Sequence, residues 1–128
     1  MLKGGKMGLK YHFDVDRRAV IMKIEPNSKM IGYVGNINGW FNCDVGSQGE
    51  KNLKAIKEYL KHPTEEYLLL GSNAYEVHVK KDFTTISYDY EYCNPKMVPC
   101  TLPTKMLCKL LKAWTKAEKK RRKKYNLD

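Results

Sequence analysis

No stretch of this chain is apolar for long enough to cross a membrane. No unbroken run exceeds the four residues of Tyr67-Leu68-Leu69-Leu70, against the roughly 20 residues a spanning helix needs. The opening Met1-Leu2-Lys3-Gly4-Gly5-Lys6 has no apolar signal core, so a soluble, cytoplasmic protein with no membrane partner is expected. Cysteine is scarce, and the four present lack metal-binding spacing. There is no Cys-x-x-Cys and no pair of His at helical spacing, and Cys93, Cys100 and Cys108 are separated by six and seven residues. In a reducing compartment Cys43, Cys93, Cys100 and Cys108 are expected to be free, mostly buried thiols. No Ser sits in a Gly-x-Ser-x-Gly elbow, and Gly35-Asn36-Ile37-Asn38-Gly39-Trp40 matches neither a dinucleotide fingerprint nor a phosphate loop. These absences lead us to expect no enzymatic activity, no cofactor and no metal.

What is present suits one small folded domain. The chain has 128 residues, of which 42% are hydrophobic and 11% aromatic, enough to fill the core of a fold that removes roughly two thirds of its extended surface from water. Its formal net charge is +10, unevenly placed. Residues 105–128 hold 10 basic and 2 acidic residues, a net +8, while residues 1–104 are close to neutral with 14 and 12. Attraction to phosphate or to an acidic protein should therefore originate at the C-terminus. We divide the chain into a single α+β domain over 1–118 and a basic C-terminal extension over 119–128.

Along the chain, Leu9, Tyr11, Phe13 and Val15 alternate with Lys10, His12, Asp14 and Asp16, the period of a half-buried strand. A second strand is expected at Ala19 to Ile24 before the turn Glu25-Pro26-Asn27-Ser28, and a third at Met30 to Val34 before a glycine- and asparagine-bearing loop. Ser47-Gln48-Gly49-Glu50 has capping-box spacing and predicts a helix whose apolar face is Leu53, Ile56, Tyr59 and Leu60. Pro63 ends it. Strands at Tyr67 to Leu70 and Asn73 to Lys80 follow. The latter turns at Lys81-Asp82 into a hairpin whose register sets Val79 against Thr84, Val77 against Ile86 and Tyr75 against Tyr88. Met97 to Leu102 reads as an edge strand because Pro99 cannot donate to a ladder. Thr104 is the expected N-cap of a last helix with the buried stripe Leu107, Leu110, Leu111, Trp114 and Ala117. This order predicts an α+β fold: an antiparallel β-sheet with two helices packed on one face and a basic C-terminal helix extension.

Three groups are candidates for chemistry or binding. His12, Asp14 and Asp16 share a strand face, but alternation alone puts polar residues on the wet side, so no cation is assigned to them. Trp40, Phe41, Tyr90 and Tyr92 are candidate aromatic anchors for a protein partner. Lys116, Lys119, Lys120, Arg121, Arg122, Lys123 and Lys124 could neutralise phosphates, and engaging about five would give a salt slope of about −4 to −5. Aromatics are absent from that run until Tyr125, which argues against base stacking and for sequence-indifferent nucleic-acid binding at most.

The stretch Tyr67-Leu68-Leu69-Leu70-Gly71-Ser72-Asn73-Ala74-Tyr75-Glu76-Val77, the charged tip Lys80-Lys81-Asp82, and Leu102-Pro103-Thr104 leading into a helix whose stripe reaches Trp114 together resemble small bacterial immunity proteins of polymorphic toxin systems. The resemblance covers residues 65–115. It implies a cytoplasmic, non-enzymatic α+β protein that binds a cognate toxin and neutralises it by occlusion. With a cationic tail, charge complementarity then calls for an acidic toxin surface or a neutral interface on the body.

Overall fold

A computed structural model describes residues 8–70, 74–88 and 98–127. Its strands are β1 (Tyr11–Val15), β2 (Val20–Ile24), β3 (Leu68–Leu70), β4 (Tyr75–Val79), β5 (Phe83–Tyr88) and β6 (Cys100–Pro103). The helices are α1 (Gly35–Gly39), α2 (Gly49–Lys61) and α3 (Thr104–Tyr125). The class is the α+β one expected, with every pairing antiparallel. The strands divide into a β1-β2 ribbon and a four-stranded sheet ordered β3-β4-β5-β6. Alternation explains why the helices cover one face of the larger sheet: Leu70, Val77, Val79, Ile86, Cys100 and Leu102 are buried under α2 and α3, while Leu69 on the opposite face is exposed.

The β4-β5 hairpin adopts the expected register, with Tyr75 opposite Tyr88, Val77 opposite Ile86 and Val79 opposite Thr84. The Lys80 amide donates to the Phe83 carbonyl at 3.0 Å across the tip. β6 lies at the sheet edge as expected, but it spans Cys100–Pro103, so Pro99 precedes the strand and Met97 lies outside the described residues. Thr104, however, does not cap its own helix. Pro103 occupies the N-cap position, and the buried Thr104 hydroxyl instead donates to the Lys80 carbonyl at 2.7 Å and lies 2.9 Å from the Thr84 hydroxyl. Its side chain ties α3 to the hairpin, and these two bonds satisfy a buried hydroxyl that would otherwise be costly.

Residues 30–48 depart most from expectation. Met30 to Val34 is not a strand. Only Ile31 pairs, exchanging backbone hydrogen bonds of 2.8 and 2.7 Å with Thr101 on the outer edge of β6. Gly32 permits the approach: its φ is +98°, and a Cβ there would meet the Pro99 carbonyl oxygen at 1.9 Å. The expected loop is helical, with α1 continuing through a π-helical stretch (Trp40–Val45) and a 3-10 turn (Gly46–Gln48) into α2. The Ser47–Glu50 capping box is not made, since Gln48 precedes α2 and no side-chain cap bond forms there.

Tertiary bonding overrides the turn propensity of this asparagine-rich segment. The Asn38 side chain accepts from the Ile24 amide at 3.0 Å. Asn42 accepts from the Met22 amide at 2.9 Å and donates to its carbonyl at 3.3 Å. These amides satisfy the outer edge of β2 as a neighbouring strand would. Asn36, fully buried, donates to the carbonyls of Ile86 and Val98, and the Asp44 carboxylate accepts from the Ala74 and Tyr75 amides.

The core centres on Trp40, Phe41 and Trp114, whose rings are in edge or tilted contact, surrounded by Ile37, Ile56, Met106, Leu107, Leu110 and Leu111. Cys100 is buried and free as expected, Cys108 is half-buried, and Cys43 is exposed, contrary to its expected burial. Cys93 lies outside the described residues.

Burial pushes the Cys100 thiol up to about 11 and the Tyr75 phenol up to about 12. Both folded values lie above the ordinary 9.0 and 10.0, so the unfolded chain ionises first. Stability from these neutral groups is complete below pH 9 and drains away as pH rises toward 11. The urea midpoint is therefore expected to be flat from about pH 7 to 8.5 and to fall above about 9, less steeply in Cys100→Val. An identical fall in that variant would remove the thiol from the account.

A candidate partner-binding groove

β1 carries the first wall of the site. Its odd residues were expected to be the buried face, yet Tyr11 and Val15 are 39% and 41% exposed and only Phe13 is half-buried. The ribbon geometry explains this. Tyr11, Phe13 and Val15 stand opposite Ile24, Met22 and Val20. The β2 residues cover the core, while β1 overhangs beside α3, with the Phe13 ring 6.2 Å from that of Trp114.

The second wall is α3. Ala113 and Ala117 form a low floor one turn apart, and Lys116, Lys120 and Lys124 stand beside them at successive i, i+4 positions. Together with Tyr11, Phe13, Val15 and Arg121 they enclose a groove of about 490 Å³. Among the described residues none of these three lysines has a carboxylate at ion-pair distance. The groove thus has an aromatic and aliphatic floor with a cationic rim. Such a lining suits an anionic partner with some apolar body.

Arg121 belongs to the architecture. It donates to one Glu118 oxygen at 3.0 and 2.6 Å and to the Arg17 carbonyl at 2.6 Å. The pair is 12% and 10% exposed, and it fastens the β1-β2 turn to the helix. The 118/119 boundary therefore falls inside one continuous helix that ends at Asn126, whose φ of 58° is the left-handed cap. Arg122, Lys123 and Lys124 occupy the last turn, where cations meet the carbonyl end of the helix.

The remaining predicted residues divide clearly. Trp40 and Phe41 are 1% and 0% exposed. They are core and not the surface anchors expected, because the π-helical segment buries both, with the Phe41 ring between those of Trp40 at 5.0 Å and Trp114 at 5.4 Å. Tyr90 and Tyr92 lie outside the described residues. Lys116, Lys120, Arg121 and Lys124 line the groove, Lys119 pairs with Glu50 at 3.3 Å on another side of α3, Arg122 lines the cleft there, and Lys123 is exposed. Sequence reasoning missed Tyr11, Phe13, Val15, Ala113 and Ala117. The regular lysine spacing was visible, but not which strand would lie beside it.

Of the His12, Asp14 and Asp16 face, the two carboxylates are otherwise engaged. Asp14 meets Lys23 at 2.9 Å, a contact that holds its carboxyl below the usual range. Asp16 accepts from the Arg18 and Ala19 amides, which lowers its pKa in the same direction. Among the described residues no helix is long and apolar enough to cross a membrane. No family model, curated protein or solved structure matches this chain.

Proposed function

We propose that this protein is a non-enzymatic binding module of the immunity type, which occludes an acidic surface of a cognate toxin with the β1-α3 groove. The observation that carries this reading is the row Lys116, Lys120 and Lys124 beside the apolar wall of Tyr11, Phe13 and Val15. Charges without carboxylate partners along an apolar floor supply both steering and contact area for a partner of opposite sign. The resemblance to immunity proteins supplies the biological class, and cytoplasmic residence follows from it.

The test is co-expression with toxin domains encoded beside the gene. Rescue of growth is expected, and Lys116→Glu/Lys120→Glu/Lys124→Glu should withdraw it while leaving the fold intact, because all three side chains are exposed. Failure to rescue against every such toxin rejects the reading.

A second reading has one specific observation behind it. Tyr11 and Phe13 place aromatic rings beside lysines whose own segment lacks them, the combination used by single-strand binders. Three engaged phosphates would give a salt slope of about −2. Fluorescence anisotropy with a single-stranded oligonucleotide tests it: salt-sensitive binding abolished by the triple variant would move the function to nucleic acid.

A further inference from the structure

The groove has a second property, lodged in the backbone. The Glu25 amide donates to the Lys10 carbonyl at 2.9 Å, and the Asp16 amide donates to the Ala19 carbonyl at 3.1 Å. In an antiparallel pair these bonds alternate, so Lys10, His12, Asp14 and Asp16 turn their peptide groups toward β2. Tyr11, Phe13 and Val15 turn theirs outward. Among the described residues no backbone group meets that outer edge. The opposite edge of the ribbon is closed by Asn38 and Asn42, and β6 is partly closed by Ile31. Among the described residues β1 is thus a five-residue edge without a backbone partner, and its outward peptide groups belong to the residues whose side chains line the groove.

We propose that β1 and α3 together bind an extended acidic segment of the partner by strand addition: the segment pairs with Tyr11, Phe13 and Val15 and sets alternate carboxylates on Lys116, Lys120 and Lys124. The inference deepens the proposed function and rests on it. Two dimensions support it. Residues on the same face of a strand repeat every two residues, at about 6.6–6.8 Å, and lysines four apart on a helix repeat at about 6 Å.

The two elements also run the same way. Gly8, before β1, shares the Asn27 side chain with Met106 near the start of α3, while Arg17, after β1, is bonded to Arg121 near its end. An added strand puts every second side chain on the same sheet face as Tyr11, Phe13 and Val15, above the lysine row. Main-chain bonds would supply affinity, and the alternating charge would supply selectivity.

Two nine-residue peptides of one composition, capped at both ends, separate this from simple charge attraction. One alternates Glu with Thr, and the other places its Glu residues in one block. With the full ¹⁵N-labelled chain the alternating peptide is expected to bind at least tenfold more tightly. It should slow amide exchange at Tyr11, Phe13 and Val15 at least tenfold and leave His12 and Asp14, already paired with β2, unchanged. N-methylating one alternate set of its amides should abolish binding, whereas methylating the other should not.

Equal affinity of the two peptides, unchanged exchange at those three amides, or no binding of the alternating peptide at millimolar concentration would overturn strand addition. None of these results touches the occlusion reading, which stands or falls on toxin rescue and its loss in the triple lysine variant.

Discussion

Trp114→Ala is expected to cost about 3–5 kcal/mol, the range for deleting a large buried aromatic ring. The indole is 2% exposed. It touches the rings of Phe13 and Phe41 at 6.2 and 5.4 Å, and its Nε1 donates to the Gly46 carbonyl at 2.7 Å. One side chain therefore joins the ribbon, the π-helical stretch and the bend into α2. The cavity cannot collapse easily, because its walls belong to three separate elements. Against a total of roughly 5–15 kcal/mol for a domain this size, the variant should lose a large share of its folded population, seen as a lower urea midpoint. Trp114→Phe keeps a ring but strands the Gly46 acceptor, so a smaller loss of about 1–2 kcal/mol is expected. A loss under about 1 kcal/mol in the alanine variant would show that the ring does not organise the core.

Arg121→Met is expected to cost about 3 kcal/mol, toward the low end for breaking a buried ion pair. It leaves the Glu118 side chain, 10% exposed, without the guanidinium that holds it, and it releases the β1-β2 turn at Arg17. Replacing both partners, as Glu118→Leu/Arg121→Met, should recover most of the loss, since the desolvated carboxylate goes too. A double-mutant cycle by urea denaturation reads the difference. A double variant no more stable than the single one would mean that the Arg17 bond, and not the charge pair, is what matters. Because Arg121 also lines the groove, the single variant should loosen the β1 wall before it unfolds the core, raising exchange at Ala19 first.

The two strongest local patterns were legible because each is self-contained. The hairpin register follows from cross-strand neighbours that must match within a dozen residues. The stripe Leu107, Leu110, Leu111 and Trp114 follows from a helical period that one apolar surface suffices to satisfy. The helical path of 35–48 could not be read that way. Its glycines and asparagines favour turns locally, and they become helical only because Asn36, Asn38, Asn42 and Asp44 find peptide groups on strands far along the chain. Trp40 and Phe41 carried the same ambiguity, since an aromatic pair reads alike as anchor or core until its neighbours are known.

Period, turn chemistry and composition were enough to read the α+β class, the hairpin, the amphipathic helices and the concentration of positive charge in the last 24 residues. It took the packed fold to set three of those lysines beside Tyr11, Phe13 and Val15, to make Arg121 a half-buried fastening, and to leave the outer β1 edge without a backbone partner among the described residues. The reason is physical: a groove is a relation between surfaces that chain separation hides, fixed by how the ribbon packs on Trp114 and by which strand edge the asparagines close.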